Sequence, residues 1–350
     1  QWRRKLVKKP KWSLVVARKN SLVRSILMQP TKILVTGATG FIGRALLDRL
    51  RADPVFDVSA VVRHWLPSLP SDIQVHEVGD LNASTDLRGA LAKVDVVIHA
   101  AARVHVMNDP SIDPLAEFRR VNVEGTLALA RQAAAAGIRR FIFISSIKVN
   151  GESTQNNRPF IVEDPPQPAD PYGISKHEAE EQLRRRAEET GMEVVIIRPP
   201  LVYGPGVKAN FLSMMRWLYR GVPLPLGAIN NRRSLVALDN LVDLIVTCID
   251  HPAAANQTFL AGDGEDLSTT ELLRRMGAAL GRPARLIPVP PTLLNAGAAV
   301  LGKRAVAQRL LGSLQVDISK ARTLLGWTPP VSVDEALRKT AAHFLAQQRT

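Results

Sequence analysis

Short apolar runs alternate with amphipathic helical stretches from Lys32 to Arg198, and no other feature narrows the possible folds as much. The strand candidates are Ile33–Thr36, Val58–Val62, Ile73–His76, Val94–His99, Arg140–Ser145 and Val194–Arg198. Helical patterns fall around Phe41–Arg51, Thr85–Ala92, Leu115–Ala136 and Lys176–Thr190. Continuously apolar strands separated by helices predict a parallel sheet covered on both faces. Right-handed crossovers then give an α/β, doubly wound fold of the Rossmann kind. After Arg198 the texture changes. Pro199, Pro200, Gly204, Pro205 and Gly206 form a loop, an apolar helix follows near Phe211–Arg220, and Gly221–Pro225 breaks it. The expected division is a basic extension at 1–30, a Rossmann domain at 31–198 and a smaller lobe at 199–350. Some strands of that lobe are expected to return to the main sheet.

Charge has to be mapped before it is interpreted. The formal net charge of +14 resembles a nucleic-acid signal, but residues 1–27 hold nine basic residues and no acid. Subtracting them leaves +5 for residues 28–350, which suits anionic small ligands at least as well as nucleic acid. Residues 1–27 are compatible with an upstream tail, a presequence poor in acids, or a basic arm, and the tail is the preferred reading. Nucleic acid is therefore not an expected partner. The lone cysteine, Cys248, excludes a disulfide framework and a thiolate-rich metal site, and points to a reducing, cytoplasmic setting. No run of 18 uncharged apolar residues is present, so no membrane span is expected.

Chemistry enters at KILVTGATGFIG, Lys32 to Gly43. A strand runs into Gly37, Gly40 and Gly43 and then into a helix. Glycines permit the tight turn and the close approach of backbone to a pyrophosphate. The N–H groups of Phe41 and Ile42 and the positive end of the helix dipole favour that anion. The end of the second strand carries Arg63 where a carboxylate would bind the ribose hydroxyls of NAD. Arg63 can pair with a 2′-phosphate, which favours NADP(H) over NAD(H); the alternative is a solvated surface arginine. Asp80 and Leu81, after the third strand, and Ala100, Ala101 and Ala102, after the fourth, lie where open α/β sheets bind ligands.

Tyr172 alone of the three tyrosines has a lysine, Lys176, four residues on. Pro171 begins a helix there, so both side chains share one face. A nearby ammonium favours the phenolate, and Tyr172 becomes an acid or base for interconverting a hydroxyl and a carbonyl. Ser146, at the end of the fifth strand, can stabilise charge on the reacting oxygen. The competing reading, a serine that caps after a strand, fits Ser145 better than Ser146.

TGATGFIG, the Asp80–Leu81 loop, HAAA, VNVEGT, ISSIKVNG, PYGISK, RPPLVYGPG and LGWTP occur in that order. The chain resembles the extended short-chain dehydrogenases/reductases, the NAD(P)-dependent nucleotide-sugar epimerases, dehydratases and reductases, over about residues 31–340. The resemblance implies Ser146, Tyr172 and Lys176 as catalytic residues, Lys176 also on the nicotinamide ribose, and Pro199 beside the cofactor. It implies a second lobe for the nucleotide diphosphate, with Asn210, Arg232 and Arg233 as contacts and Asp317 as a weaker one. Arginine forks suit phosphate oxygens. Asn122 is expected to order the sheet beside the site.

Two departures narrow the reaction. Dehydratases of this family carry an Asp-Glu pair after the catalytic hydroxyl residue, whereas Ile147 and Lys148 stand here. Dehydration is therefore not expected, and Lys148 is either a sugar contact or a solvated lysine. Asn150 replaces the usual tyrosine, which resembles a bacterial branch in lipopolysaccharide biosynthesis. That branch includes reductases forming UDP-N-acetylquinovosamine and proteins called UDP-glucose 4-epimerase. The main expectation is a UDP-sugar 4-ketoreductase, with a UDP-glucose or UDP-N-acetylglucosamine 4-epimerase as alternative. A non-catalytic dinucleotide sensor is the third reading. No metal site is expected, and a homodimer is compatible with the resemblance.

Overall fold

The computed structural model describes residues 29–104, 113–155, 158–302 and 304–348. The basic segment at 1–27, with its competing readings, lies outside the described residues. The first half follows the alternation of the sequence. β1 (Thr31–Thr36), α1 (Phe41–Arg51), β2 (Phe56–Val62), β3 (Gln74–Glu77), α2 (Arg88–Leu91) and β4 (Val96–His99) come first. Then follow α3 (Pro114–Arg119), a π-helical turn (Arg120–Gly125), α4 (Thr126–Ala135), β5 (Arg140–Ile144), α5 (Pro171–Thr190) and β6 (Glu193–Arg198). The helix expected over 85–92 contracts to its last turn. The one expected over 115–136 is interrupted by the π turn.

The remainder contains β7 (Leu201–Tyr203), α6 (Ala209–Tyr219), β8 (Arg233–Ala237), α7 (Leu238–Asp250), β9 (Thr258–Leu260) and β10 (Asp266–Leu267). Helices α8 (Thr269–Ala279), α9 (Pro291–Val300), α10 (Arg304–Leu311), α11 (Ser319–Leu325) and α12 (Val333–Gln347) complete it. The main sheet has the order β3-β2-β1-β4-β5-β6-β9, and every pairing in it is parallel. β9 therefore joins β6 from the second half of the chain. A smaller sheet, β10-β8-β7, belongs to the second lobe.

Strand periodicity explains the two covered faces. Ile33 and Val35 of β1 enter a core with Leu46, Leu47 and Leu50 of α1, and Leu241 and Ile245 of α7. Leu34 points the other way, into a core with Leu129 and Ala133 of α4 and Leu183 of α5. Each such fully buried aliphatic side chain contributes about 1.5–3 kcal/mol relative to exposure. A third core, around Phe211, Met215, Leu218, Leu273 and Phe344, holds the second lobe together. Cys248 is buried in the first core, where burial pushes its thiol up to about 12. No helix among the described residues is long and apolar enough to cross a membrane.

Candidate active site

Because the sheet is parallel, the carboxyl ends of its strands lie along one edge, and the strand order reverses between β1 and β4. Thr36 pairs with His99, so Gly37 and Ala100 follow side by side at that switch point. Their approach is close: Gly37 has φ +71°, and a Cβ there would meet the Ala101 nitrogen at 2.6 Å. A Cβ on Gly43 would fall 2.1 Å from the Gly37 oxygen. Both glycines let backbone pack on backbone where β1 turns into α1. Gly40 is exposed and precedes α1, and no side chain caps the helix. The turn therefore presents the open, positive helix end at Phe41 and Ile42 to an anion.

Arg63 and Asp80 reach the same edge from the ends of β2 and β3, and pair with each other at 2.7 Å from Nε to Oδ1. Arg63 is thus an exposed arginine paired with a carboxylate. Leu81 backs onto the π turn, where a Cβ on Gly125 would meet its oxygen at 2.9 Å. Pro199 is buried, and its carbonyl accepts from the Ile147 N–H at 3.0 Å.

Ser146 follows β5, and Tyr172 and Lys176 lie one turn apart at the start of α5, where Pro171 and the Asp170 cap begin the helix. Asp170 Oδ1 accepts from the Gly173 N–H at 2.7 Å. The Tyr172 ring packs edge-on against Phe118, with centroids 6.0 Å apart. The expected fall in the Tyr172 pKa is absent. Burial pushes the phenol up to about 12; a hydrogen bond with Ser146 opposes this, and the Asp170 charge adds to it. Lys176 Nζ instead donates to the Ile144 carbonyl at 2.8 Å and lies 4.4 Å from the Phe143 ring centroid. Burial lowers its own pKa to about 7, against a smaller upward pull from Glu180.

The capping serine is Ser146, not Ser145. Ser146 Oγ accepts from the Lys148 N–H at 3.2 Å, capping a short 3-10 turn, Ile147–Val149. Ser145 Oγ donates to Glu180 at 2.6 Å. Capping leaves the Ser146 hydroxyl proton available to an oxygen in front of it. Lys148 departs from the solvated reading. It is only 23% exposed and forms ion pairs with Glu152 and with Asp170, the cap of the tyrosine helix.

Behind the site lies a hydrogen-bonded chain that the sequence reading did not find. The Ala101 N–H donates to Thr36 Oγ1 at 3.3 Å, and Thr36 Oγ1 lies 2.6 Å from His99 Nδ1. His99 Nε2 lies 2.9 Å from Thr126 Oγ1, which donates to the Asn122 carbonyl at 2.7 Å. Since the Thr126 hydroxyl donates onward, His99 must donate from Nε2 and accept at Nδ1. That tautomer is neutral, in keeping with a pKa lowered to about 3 by burial and by Lys176. Asn122, in the π turn, donates to Ser175 Oγ at 3.0 Å and accepts from the Arg103 N–H at 2.8 Å. It thus ties the loop after β4 to α5 rather than ordering the sheet.

A second missed group is Glu180, fully buried one turn beyond Lys176. Arg198, at the end of β6, donates to it from Nε at 2.9 Å and from a terminal nitrogen at 2.6 Å. Arg198 also donates to Asn150 Oδ1 at 2.9 Å, so Asn150 anchors the loop to β6. The spacing of Lys176 and Glu180 and the Asp-Pro start of the helix were the available signals.

The substrate candidates lie in the second lobe. Arg233, at the start of β8, is turned inward and donates to the Gly312 carbonyl at 3.0 Å. Burial lowers its pKa, and the Glu152 charge opposes this. Arg232 and Asn210 are exposed, Asn210 in the first turn of α6. Asp317 Oδ1 accepts from the Ser319 N–H at 2.6 Å, so its carboxylate serves the turn into α11. No cluster of metal-ligating side chains occurs among the described residues.

A sheet of this order, with a glycine turn at its switch point and a Ser, Tyr and Lys at its carboxyl edge, defines a dinucleotide-dependent short-chain dehydrogenase/reductase. The family model described as "NAD dependent epimerase/dehydratase family" matches residues 33–262, and the chain belongs to that family. It is 51% identical over 317 residues to a UDP-glucose 4-epimerase of Vibrio cholerae, covering 90% of this chain and 96% of that one. It is 32% identical to a UDP-glucose 4-epimerase of Mycolicibacterium smegmatis, over 89% of this chain and 98% of the relative. Among solved structures, MoeE5 in complex with UDP-glucose and NAD superposes with a TM-score of 0.72. That pair is 25% identical, with 91% of this chain and 99% of the other covered. The cofactor of the family is a nicotinamide dinucleotide, and the residues here fit it. The uncapped α1 start suits a pyrophosphate, and the Lys176 ammonium stands beside the edge where the ring would lie.

Proposed function

We propose that this protein is a UDP-sugar 4-epimerase that interconverts UDP-glucose with UDP-galactose, or their N-acetylated forms, using a retained NAD(H). The observation that carries the reading is that no carboxylate pair follows Ser146. Position 147 is a buried isoleucine, and Lys148 is drawn to Asp170 and Glu152. Among the described residues, the two positions after Ser146 therefore supply no carboxylate pair of the kind a dehydration at C5 and C6 needs. What remains suits chemistry confined to C4.

A nicotinamide dinucleotide held at the Gly37–Gly43 turn would supply the hydride acceptor and donor for C4 of the sugar. Tyr172 removes the proton from O4 as the carbonyl forms and gives it back as the carbonyl is reduced. Ser146 donates a hydrogen bond to the same oxygen. Lys176, with its pKa drawn towards neutrality, offsets the negative charge on the tyrosine oxygen. The inward Arg233 is suited to the diphosphate, with Asn210 and Arg232 at the rim of the same lobe.

The relatives favour this reading over the 4-ketoreductase expected from the sequence. The NADP(H) preference rested on Arg63, and the Asp80 carboxylate at 2.7 Å now competes with a 2′-phosphate for it. An epimerase also leaves its cofactor unchanged after each turnover, so NAD(H) that stays bound is sufficient. The test is incubation with UDP-glucose and with UDP-N-acetylglucosamine, with no cofactor added, followed by NMR of the sugars. Approach to the mixture of C4 epimers supports the proposal. No epimerisation, together with one-for-one NADPH consumption on a UDP-4-keto-6-deoxy-N-acetylhexosamine, would replace it with the reductase.

A further inference from the structure

Two long stretches of the second lobe contain no acidic residue. Residues 199–238 carry five basic residues and residues 272–316 carry seven, with neither Asp nor Glu in either. The fold brings them together. Leu224 N–H donates to the Arg285 carbonyl at 2.9 Å, and Ile287 N–H donates back to Leu224 at 2.8 Å. The Arg282 guanidinium lies over the Tyr219 ring, 5.1 Å from its centroid. Arg216, Arg220, Arg282 and Arg285 are all exposed on this joint surface.

The same lobe exposes several large apolar side chains. Of thirteen large apolar side chains exposed among the described residues, seven fall between positions 217 and 306, so they are concentrated rather than scattered. Trp217, Val222 and Ile287 lie beside the arginines. The chain then enters α9, in a run from Leu286 to Gly302 with no charged residue. Leu294 packs inward on the lobe core, whereas Leu293, Val300 and Leu301 are 63%, 87% and 71% exposed. Their spacing places them with Gly297 on one helical face. A soluble helix ordinarily turns such a face inward; here none of the helix residues is buried.

We propose that this face of the second lobe is a docking surface for an anionic phospholipid bilayer, with α9 lying in the interface. The ten-residue helix is about 15 Å long, half the hydrocarbon thickness, so it lies along the membrane rather than crossing it. An apolar ridge with a basic margin is the pattern of such interfacial helices. The ridge enters the boundary between headgroups and acyl chains, and the arginines meet lipid phosphates. Nucleic acid explains the arginines but offers the aliphatic ridge nothing to bury against. A second copy would bring like-charged margins together across a twofold interface.

The test is sedimentation of the full chain with vesicles of phosphatidylcholine alone or with about one-third phosphatidylglycerol. Compared are the native chain and a Leu293→Glu/Val300→Glu variant, whose folding is checked by circular dichroism and melting temperature. Both positions are exposed, so the fold is expected to persist. The native chain is expected to bind the anionic vesicles, and the variant about tenfold more weakly, because each new carboxylate enters the ridge. Failure of the native chain to bind overturns the proposal. Equal binding by a folded variant also overturns it, by assigning the affinity to the basic segment at 1–27. Binding to duplex DNA that excludes vesicles would identify nucleic acid instead. A concentration-dependent dimer in the native chain that is lost in the variant would identify self-association.

Discussion

Lys148 forms an ion pair with Asp170, the residue that caps the helix carrying Tyr172. The Asp170 charge pushes the Tyr172 phenol up, and Lys148 stands against that charge. Other charges around this part of α5 are Lys176, the Glu152 partner of Lys148, and the Arg119–Glu178 pair from α3. Replacing Lys148 with Met leaves Asp170 uncompensated and favours the neutral phenol. The ascending limb of the kcat–pH profile is then expected to move up by about one unit. Lys148→Arg is expected to restore it. A profile unmoved by Lys148→Met would leave the ion pair a purely structural clamp.

Tyr172→Phe removes the acid/base group and keeps the ring against Phe118. Turnover is expected to fall about a hundredfold or more, the usual cost of losing such a group. Titration of cofactor fluorescence is expected to show nearly unchanged binding. Activity within threefold of the native chain would exclude Tyr172 from the proton transfer.

The Arg63–Asp80 pair gives a test of cofactor choice. Both side chains are more than half exposed, so solvent screens them and effects are modest. Asp80→Asn frees Arg63 and removes a charge that repels a 2′-phosphate. The affinity ratio of NADP(H) to NAD(H) is expected to rise roughly two- to fivefold. Calorimetry with both cofactors measures it, and an unchanged ratio would place this pair away from the adenosine end.

Glu180 makes stability depend on acid. Burial alone would raise its pKa, but the Arg198 hydrogen bonds and charge, aided by Ser145 and Arg184, hold it below the ordinary value of 4.5. A carboxyl depressed on folding contributes stability above its unfolded pKa, and loses that contribution as pH falls through its folded value. Urea unfolding is therefore expected to show the native chain weakening below the ordinary carboxylate range. Glu180→Gln is expected to be destabilised by about 3 kcal/mol at neutral pH, because Arg198 stays buried without its partner. The variant should lose this part of the acid dependence. Equal slopes for both chains would mean that other carboxyls dominate.

The sequence by itself determined the sheet, the glycine turn and the pair Tyr172 and Lys176. Those features are local: apolar runs set strands, periodicity sets helix faces, and four-residue spacing puts two side chains on one helical turn. Only the tertiary structure decided what those groups touch. Ile144 lies thirty-two residues from Lys176, yet its carbonyl holds that ammonium, and Asp80 meets Arg63 because β2 and β3 are neighbours. The acidity of Tyr172 depended on the same level, since burial raised the phenol further than its hydrogen bond with Ser146 lowered it. Glu180 and Arg198 find each other across the junction of α5 and β6. Charge pairing and desolvation act through space, whereas a linear pattern records only neighbours along the chain.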